Sequence, residues 1–350
     1  VEAAPGRAAS PPRPATLAPG AGVSGDEGRE TAMSDFDIPV LDFSSFRDGD
    51  AAARAEFAGD LGRACRDTGF FLLRNTGILD AQRTAMFTVA RNFFALPAAA
   101  KEAVAIANSP HNRGYVAQQV EALDPASGVA DAKEAFNVGL DLGPDHPEVI
   151  AGKPFRGVNL WPADEPTFKA ECLGWYTACL RLGAELHQAF ALDLGLPEDW
   201  FADKFQAPLA TLRLLRYPAG GEGIGAGAHS DYGSVTLLAT DGVAGLQVQP
   251  RSLRGTGEWL DVPSVPGAFV VNIGDCLERW TNDVYVSTPH RVLAPKAERF
   301  SIAFFLDPDP DAEVMALPTC VGPDRPARHA PTTGARHLAE RLDATYKHRS

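Results

Sequence analysis

No stretch of about 18 uncharged apolar residues occurs in this chain, so no segment is written to cross a bilayer as a helix. Positive charge is in short supply: 32 lysines and arginines stand against 45 aspartates and glutamates, a formal net charge of -13. That balance disfavours a nonspecific grip on nucleic acid or on an anionic membrane. The five cysteines, Cys65, Cys172, Cys179, Cys276 and Cys320, are odd in number, scattered and without paired metal-binding spacing. They argue against a disulfide framework and fit a reduced, cytoplasmic compartment. Residues 1–33 almost lack large apolar side chains and cannot supply the apolar stretch of a signal peptide. They read as a disordered extension, with Met33 a candidate start. No internal repeat is evident.

What is present is apolar sequence enough for a substantial core, 45% of 350 residues. Within residues 34–165, "FDIPVLDFSSF" reads as a short strand and turn. Asp50 to Asp67 carries a helical stripe through Ala53, Phe57, Leu61 and Ala64 that ends before Gly69. Gly69 to Ile78 reads as a strand, and Asp80 to Phe94 as a helix closed by Pro97. Residues 105–165 have no long periodic run and read as a loop region able to carry substrate specificity. A long core-supporting helix occupies much of 166–204, with Phe168, Cys172, Trp175, Cys179, Leu182, Leu186 and Phe190 at three- and four-residue steps. Residues 205–310 turn to short strand-like runs broken by Gly and Pro, which favours a sandwich or barrel-like β core over a doubly wound sheet. The remaining 311–350 ends in a helical segment, Thr332 to Tyr346. The expected fold class is mainly β with packed helices.

Two metal-ligand types, His229 and Asp231, stand two apart in "GAHSDYG", and His290 follows in the strand-like "STPHRVLAP". In a strand, side chains two apart share a face, so the first pair can close on one ion. Two histidines and a carboxylate make the facial triad suited to non-haem iron(II), one octahedral face protein and the other open. The competing reading is a loop hydrogen-bonding pair with a satisfied core histidine. Nine residues after His290, Arg299 and Ser301 share a strand face in "RFSIAFF" and can offer a guanidinium fork and a hydroxyl to one carboxylate. An Arg299 buried in the β core would demand an anionic partner; one on an edge strand would not. Tyr217, in "LRLLRYP", can add a phenolic donor or serve as an ordinary core tyrosine. The following "GGEGIGAG" lacks the residues of a phosphate loop and reads as a flexible approach to His229.

In this order and spacing, His229, Asp231, His290, Arg299, Ser301 and Tyr217 resemble the iron- and 2-oxoglutarate-dependent dioxygenases of the isopenicillin N synthase-like family. The resemblance runs from Asp37 to Tyr346. It extends through "CRDTGFFLLRNTGI", "KEAFNVG", "HSDYGSVTLL", "PGAFVVNIGDCLERWTND" and "RFSIAFF". It implies a double-stranded β-helix, or distorted jelly roll, with His229, Asp231 and His290 as iron ligands. Arg299 and Ser301, helped by Tyr217, would hold the distal carboxylate of 2-oxoglutarate, and Asn272 and Asp275 would support the site's geometry. Departures from the family pattern occur at Asn75-Thr76-Gly77, Leu215 and Ser230, none of them a metal ligand.

The implied activity is oxidation of a small organic metabolite by dioxygen, coupled to conversion of 2-oxoglutarate into succinate and carbon dioxide. The loops at Asn112 to Gln119 and Lys133 to Asn137 are the expected substrate walls, with Arg113, Tyr115 and Phe136 as candidates. The protein is expected to act as a monomer or weak homo-oligomer, with no nucleic-acid or membrane partner. Alternatives are an isopenicillin N synthase-like or ethylene-forming use of the same site, a metal-free binding protein on this fold, or a zinc hydrolase.

Overall fold

The computed structural model describes residues 38–121, 131–220 and 223–345; the expected disordered extension at 1–33 lies outside them. From Ile38 onward the chain forms one unit. Its first part runs β1 (Val40–Asp42), α1 (Ser44–Arg47), α2 (Ala51–Asp67), β2 (Phe70–Arg74), α3 (Asp80–Ala95) and α4 (Ala98–Glu102). Then come β3 (Gly114–Val116), β4 (Glu134–Gly139), α5 (Pro147–Ile150) and the long α6 (Phe168–Asp193). The strand-rich part holds β5 (Thr211–Tyr217), β6 (Ile224–His229), β7 (Val235–Thr240), β8 (Leu246–Val248), β9 (Leu260–Asp261) and β10 (Phe269–Ile273). It closes through α7 (Asp275–Trp280), β11 (His290–Leu293), β12 (Arg299–Leu306), β13 (Glu313–Val314), β14 (Thr332–Thr333) and α8 (Gly334–Thr345).

Local chemistry fixes the helix ends. The Asp50 carboxylate accepts from Ala52 N (3.1 Å) and Ala53 N (3.0 Å), capping α2. Its other end turns at Gly69, whose φ of 67° places it in the left-handed region. A Cβ there would lie 2.1 Å from the Val286 carbonyl oxygen, so only glycine lets the chain pass. α3 stops at Ala95, two residues before Pro97.

Two sheets face each other. The larger has the order β1-β2-β10-β7-β12-β5-β4-β3 and the smaller β6-β11-β8-β9, and every pairing in them is antiparallel except β1 with β2. Alternation along the strands divides the larger sheet's residues between two cores. Phe300, Ile302, Phe304 and Leu306 of β12 pack among residues of α2, α3 and α6. Arg299, Ser301, Ala303 and Phe305 face the smaller sheet instead, with Leu215, Tyr217, Val270, Leu246 and Val292 around them. Helices on one face and a second sheet on the other give the jelly-roll architecture expected from the sequence.

Two expectations are corrected. The region 105–165 is not loop alone: Glu134–Gly139 is a fully buried strand in register with β5, Glu134 opposite Arg216 and Gly139 opposite Thr211, and β3 pairs beside it. Its charged start hid it, because Lys133 and Glu134 are buried only by virtue of ion pairs, with Asp131 and Glu121 and with Lys101 and Arg216. From Ile224 onward the glycine-rich approach to His229 is likewise strand, β6, paired with β11. Its glycines carry no apolar alternation to read, yet a Cβ on Gly225 would sit 3.1 Å from the Tyr217 ring, so small residues admit the close packing.

α2 crosses α6 where Gly62 meets Asp193, a carboxylate held by Arg66 (2.6 Å) and by the Tyr285 hydroxyl (2.6 Å). A Cβ on Gly62 would fall 2.0 Å from Asp193 Oδ1. Gly62→Ala should therefore cost roughly 1–3 kcal/mol of stability. The expected reading is a lower denaturant midpoint at an unchanged slope.

Candidate active site

The register of β6 with β11 sets His290 directly opposite His229, and β6 ends there, so Asp231 follows in the turn that leads to β7. The shared strand face expected for His229 and Asp231 is therefore replaced by a strand end and a turn, with the same convergence. Asp231 Oδ1 lies 3.8 Å from His229 Nε2 and 3.6 Å from His290 Nε2. The ligand atoms of the three residues fall within 4.8 Å of one another, the one such cluster among the described residues.

Each ligand is oriented by a partner behind it. His229 Nδ1 lies 2.7 Å from the Gly227 carbonyl oxygen and His290 Nδ1 3.2 Å from that of Thr288. A carbonyl only accepts, so both Nδ1 atoms carry the proton and both Nε2 lone pairs point to the centre. Asp231 Oδ2 accepts from Thr236 Oγ1 (2.6 Å) and Asn272 Nδ2 (2.7 Å), which leaves Oδ1 for an ion. Desolvation, then the neighbouring His290, lowers His229 to about 4, so its ring is neutral near pH 7. Burial acts to raise the Asp231 carboxyl, but the two imidazoles and the Asn272 and Thr236 hydrogen bonds outweigh it and hold it below its ordinary value. Two imidazole nitrogens and one carboxylate are the donor set a ferrous ion takes. Asp275 supports the turn through its N–H, which donates to the Asp231 carbonyl (2.8 Å), and its carboxylate, which binds Arg341 of α8 (2.5 Å).

The triad opens into a cavity of about 190 Å³ between the sheets. Arg299 is 1% exposed and lines it; its Nε donates to the Val243 carbonyl (3.1 Å), its Nη1 to Ser301 Oγ (3.3 Å), and its guanidinium sits 5.0 Å from the Tyr217 ring centre. β12 is flanked by β7 and β5, so the edge-strand reading fails, and no carboxylate among the described residues forms an ion pair with this buried arginine, so the site suits an incoming acid. Tyr217 is buried, and desolvation raises its phenol above the ordinary value. A larger cleft, about 620 Å³ among Trp200, Lys204, Asp309 and Met315, shares no wall with this cavity and holds none of the triad.

Arg113 lines the cavity as expected. Tyr115 and Phe136 do not: strand alternation sends both to the helix-side core, where Phe136 packs on Phe93 and Phe168. Phe304 faces the same way, whereas Phe305 borders the cavity. Sequence reasoning missed Leu338 and Leu342 of α8 and Asp307 just past β12, all of which line it. The only signal for Asp307 was an acid closing an otherwise apolar strand.

The comparisons agree with this geometry. Residues 38–164 match the family described as non-haem dioxygenase in morphine synthesis N-terminal, and residues 210–308 match the 2OG-Fe(II) oxygenase superfamily. A 2-oxoglutarate-Fe(II) type oxidoreductase of Aspergillus fumigatus is 35% identical, covering 88% of this chain and 93% of its own length. Clavatol oxidase of Penicillium crustosum is 32% identical over 89% of this chain and 97% of its own. Among solved structures, a full-length Neurospora crassa protein in complex with alpha-KG and thymine superposes with a TM-score of 0.76 at 32% identity, covering 88% of this chain and 97% of that one. A putative 2OG-Fe(II) oxygenase family protein from Caulobacter crescentus gives 0.77 at 34%, covering 88% and 98%. Fold and site together define a mononuclear non-haem iron oxygenase built on a jelly roll. The chain belongs to the 2OG-Fe(II) oxygenase superfamily and is an iron(II)- and 2-oxoglutarate-dependent dioxygenase.

Asp307 is 5% exposed and its Oδ1 has no hydrogen-bond partner. Burial, and behind it the Asp231 charge, pushes its carboxyl up to about 7 from 3.8. The folded protein thus holds a proton that the unfolded chain releases, and stability contributed at low pH is lost as pH rises from about 4 through about 7. Asp307→Asn removes that penalty, which is at most a few kcal/mol. The melting temperature of metal-free Asp307→Asn should exceed that of the parent by more at pH 8 than at pH 4; a constant difference would contradict the assignment.

Proposed function

We propose that His229, Asp231 and His290 hold the iron, and that Arg299 and Ser301, with Tyr217 against the guanidinium, hold the distal carboxylate of 2-oxoglutarate. The carrying observation is the pairing of a convergent, backbone-oriented triad with a buried arginine that lacks an anion in the same cavity. When bound, iron(II) and 2-oxoglutarate supply the oxidising chemistry, in which dioxygen is consumed, 2-oxoglutarate becomes succinate and carbon dioxide, and a substrate C–H bond is oxidised. The chain's own part is placement. Gly227 and Thr288 fix the imidazole tautomers, and Thr236 and Asn272 fix the carboxylate. Arg299 and Ser301 set the co-substrate's orientation, and apolar walls such as Phe70, Leu246 and Val292 exclude water.

In this reading 205–310 is the catalytic core, 166–204 its supporting helix, 34–165 the source of substrate walls, and 311–350 a closing segment. The substrate is a small organic metabolite, not a nucleic acid. A small cavity between two sheets supports this, as do the net charge and the thymine found in the Neurospora neighbour. The five cysteines are all unpaired and buried, which supports action in the reduced cytoplasm.

Anaerobic calorimetry separates the roles. His229→Ala and Asp231→Ala should abolish tight iron(II) binding, and unchanged affinity in both would end the assignment. Arg299→Ala should keep iron and lose 2-oxoglutarate affinity by about tenfold or more. Thr236→Val and Asn272→Ala should each weaken iron binding roughly 10- to 100-fold, as expected for groups that orient a ligand.

A further inference from the structure

Among the described residues, two arginines line the cavity without an ion-pair partner: Arg299 and Arg113. The other cations of the wall, Arg213 and Lys133, pair with Glu121 and with Asp131 and Glu121. Arg113 is 6% exposed; its Nη2 donates to the Phe155 carbonyl at 3.2 Å, and its Nε has no partner. A guanidinium has five donors and can accept nothing, so most of this one is unmatched. Burying it uncompensated is costly unless an anion arrives from outside. The backbone is shaped for it. A Cβ on Gly139 would lie 2.0 Å from Arg113 Cζ, so the guanidinium rests on a glycine that leaves it room.

The sheet registers say where this cation stands relative to the triad. Asn272 pairs with Thr236, Thr236 with Phe305, Phe305 with Thr211, and Thr211 with Gly139, so the five residues form one row across β10, β7, β12, β5 and β4. Thr236 and Asn272 grip Asp231 at one end of the row, and Arg113 lies over the other. Three strand spacings, roughly 14 Å between backbones, separate Thr236 from Gly139. Arg299 lies six residues back along β12 from Phe305, roughly 20 Å of strand, so the acid held there and an acid at Arg113 are different groups. On the same strand as Gly139, Asn137 Oδ1 is buried without a hydrogen-bond partner and offers an acceptor to a hydroxyl or N–H.

We propose that the primary substrate is a compact carboxylic acid whose carboxylate pairs with Arg113 while its oxidised carbon lies toward the triad along the row through Thr211 and Phe305. This rests on the iron and 2-oxoglutarate reading of the site. Arg113 is then a specificity-determining residue, and its planar fork selects a carboxylate over a neutral isostere.

The test uses anaerobic, iron-loaded protein saturated with 2-oxoglutarate and titrated calorimetrically with benzoate, 4-hydroxybenzoate, phenylacetate and hexanoate, each beside its primary amide. At least one acid should bind about tenfold or more tightly than its amide. Arg113→Gln should erase that preference while leaving 2-oxoglutarate affinity within about twofold of the parent. Gly139→Ala, which displaces the guanidinium without removing its charge, should weaken the same acid. Equal affinity for acid and amide throughout the panel, no binding by any acid, or a preference that survives Arg113→Gln would overturn the proposal. Failure of the parent protein to bind 2-oxoglutarate at all would instead remove the reading on which it stands, and it is seen before any acid is added.

Discussion

The pairing of β6 with β11 is the constraint on which the rest of the site depends. It sets two imidazoles on neighbouring strands directly opposite each other, with ring centres 4.3 Å apart. Side chains in such a cross-strand pair are held close by the backbone ladder before any ion binds. The Asp231 carboxylate then needs only a two-residue extension past the strand end to reach both. Its remaining oxygen is secured from the other sheet, by Thr236 on β7 and Asn272 on β10, so this carboxylate ties the two sheets together.

Strand alternation distributes everything else. On β12 the even-numbered residues from Phe300 to Leu306 feed the helix-side core, while the odd-numbered ones present Arg299, Ser301, Ala303 and Phe305 to the cavity. A shift of one residue in register would exchange the two sets and bury the clamp among helices. The helix-side core resists such a slip, because Phe304 packs edge-on against Tyr176 of α6 and Ile302 is fully buried. Stability on one face thus enforces chemistry on the other. The same division places Arg299 in the wall of the cavity that Arg113 also lines, where an acid can reach each of them.

Elements with strong periodicity were legible in advance. α2, α3 and α6 lie within a few residues of the ranges expected from their apolar stripes, as do β5, β7, β10 and β12. The three metal-ligand candidates and the Arg299 and Ser301 pair were legible as residue types at telling spacings. Illegible were β4, whose charged entry is stabilised by partners distant in sequence, and β6, whose glycines show no alternation. Tyr115 and Phe136 were misplaced for a related reason: a three-residue strand and a strand with polar ends give no parity to count from.

The sequence by itself determined which groups exist and how they are spaced along each element: His229 two from Asp231, Arg299 two from Ser301, and a helix stripe long enough to back a sheet. Those are local facts, fixed by covalent order and by the periods of strand and helix. Only the tertiary structure decided which distant groups meet. Opposition of His229 and His290, the hold of Thr236 and Asn272 on one carboxylate oxygen, and the row that carries Arg113 toward the triad all come from strand registers. Register is set by the packing of whole faces against one another, a collective quantity that no short segment contains.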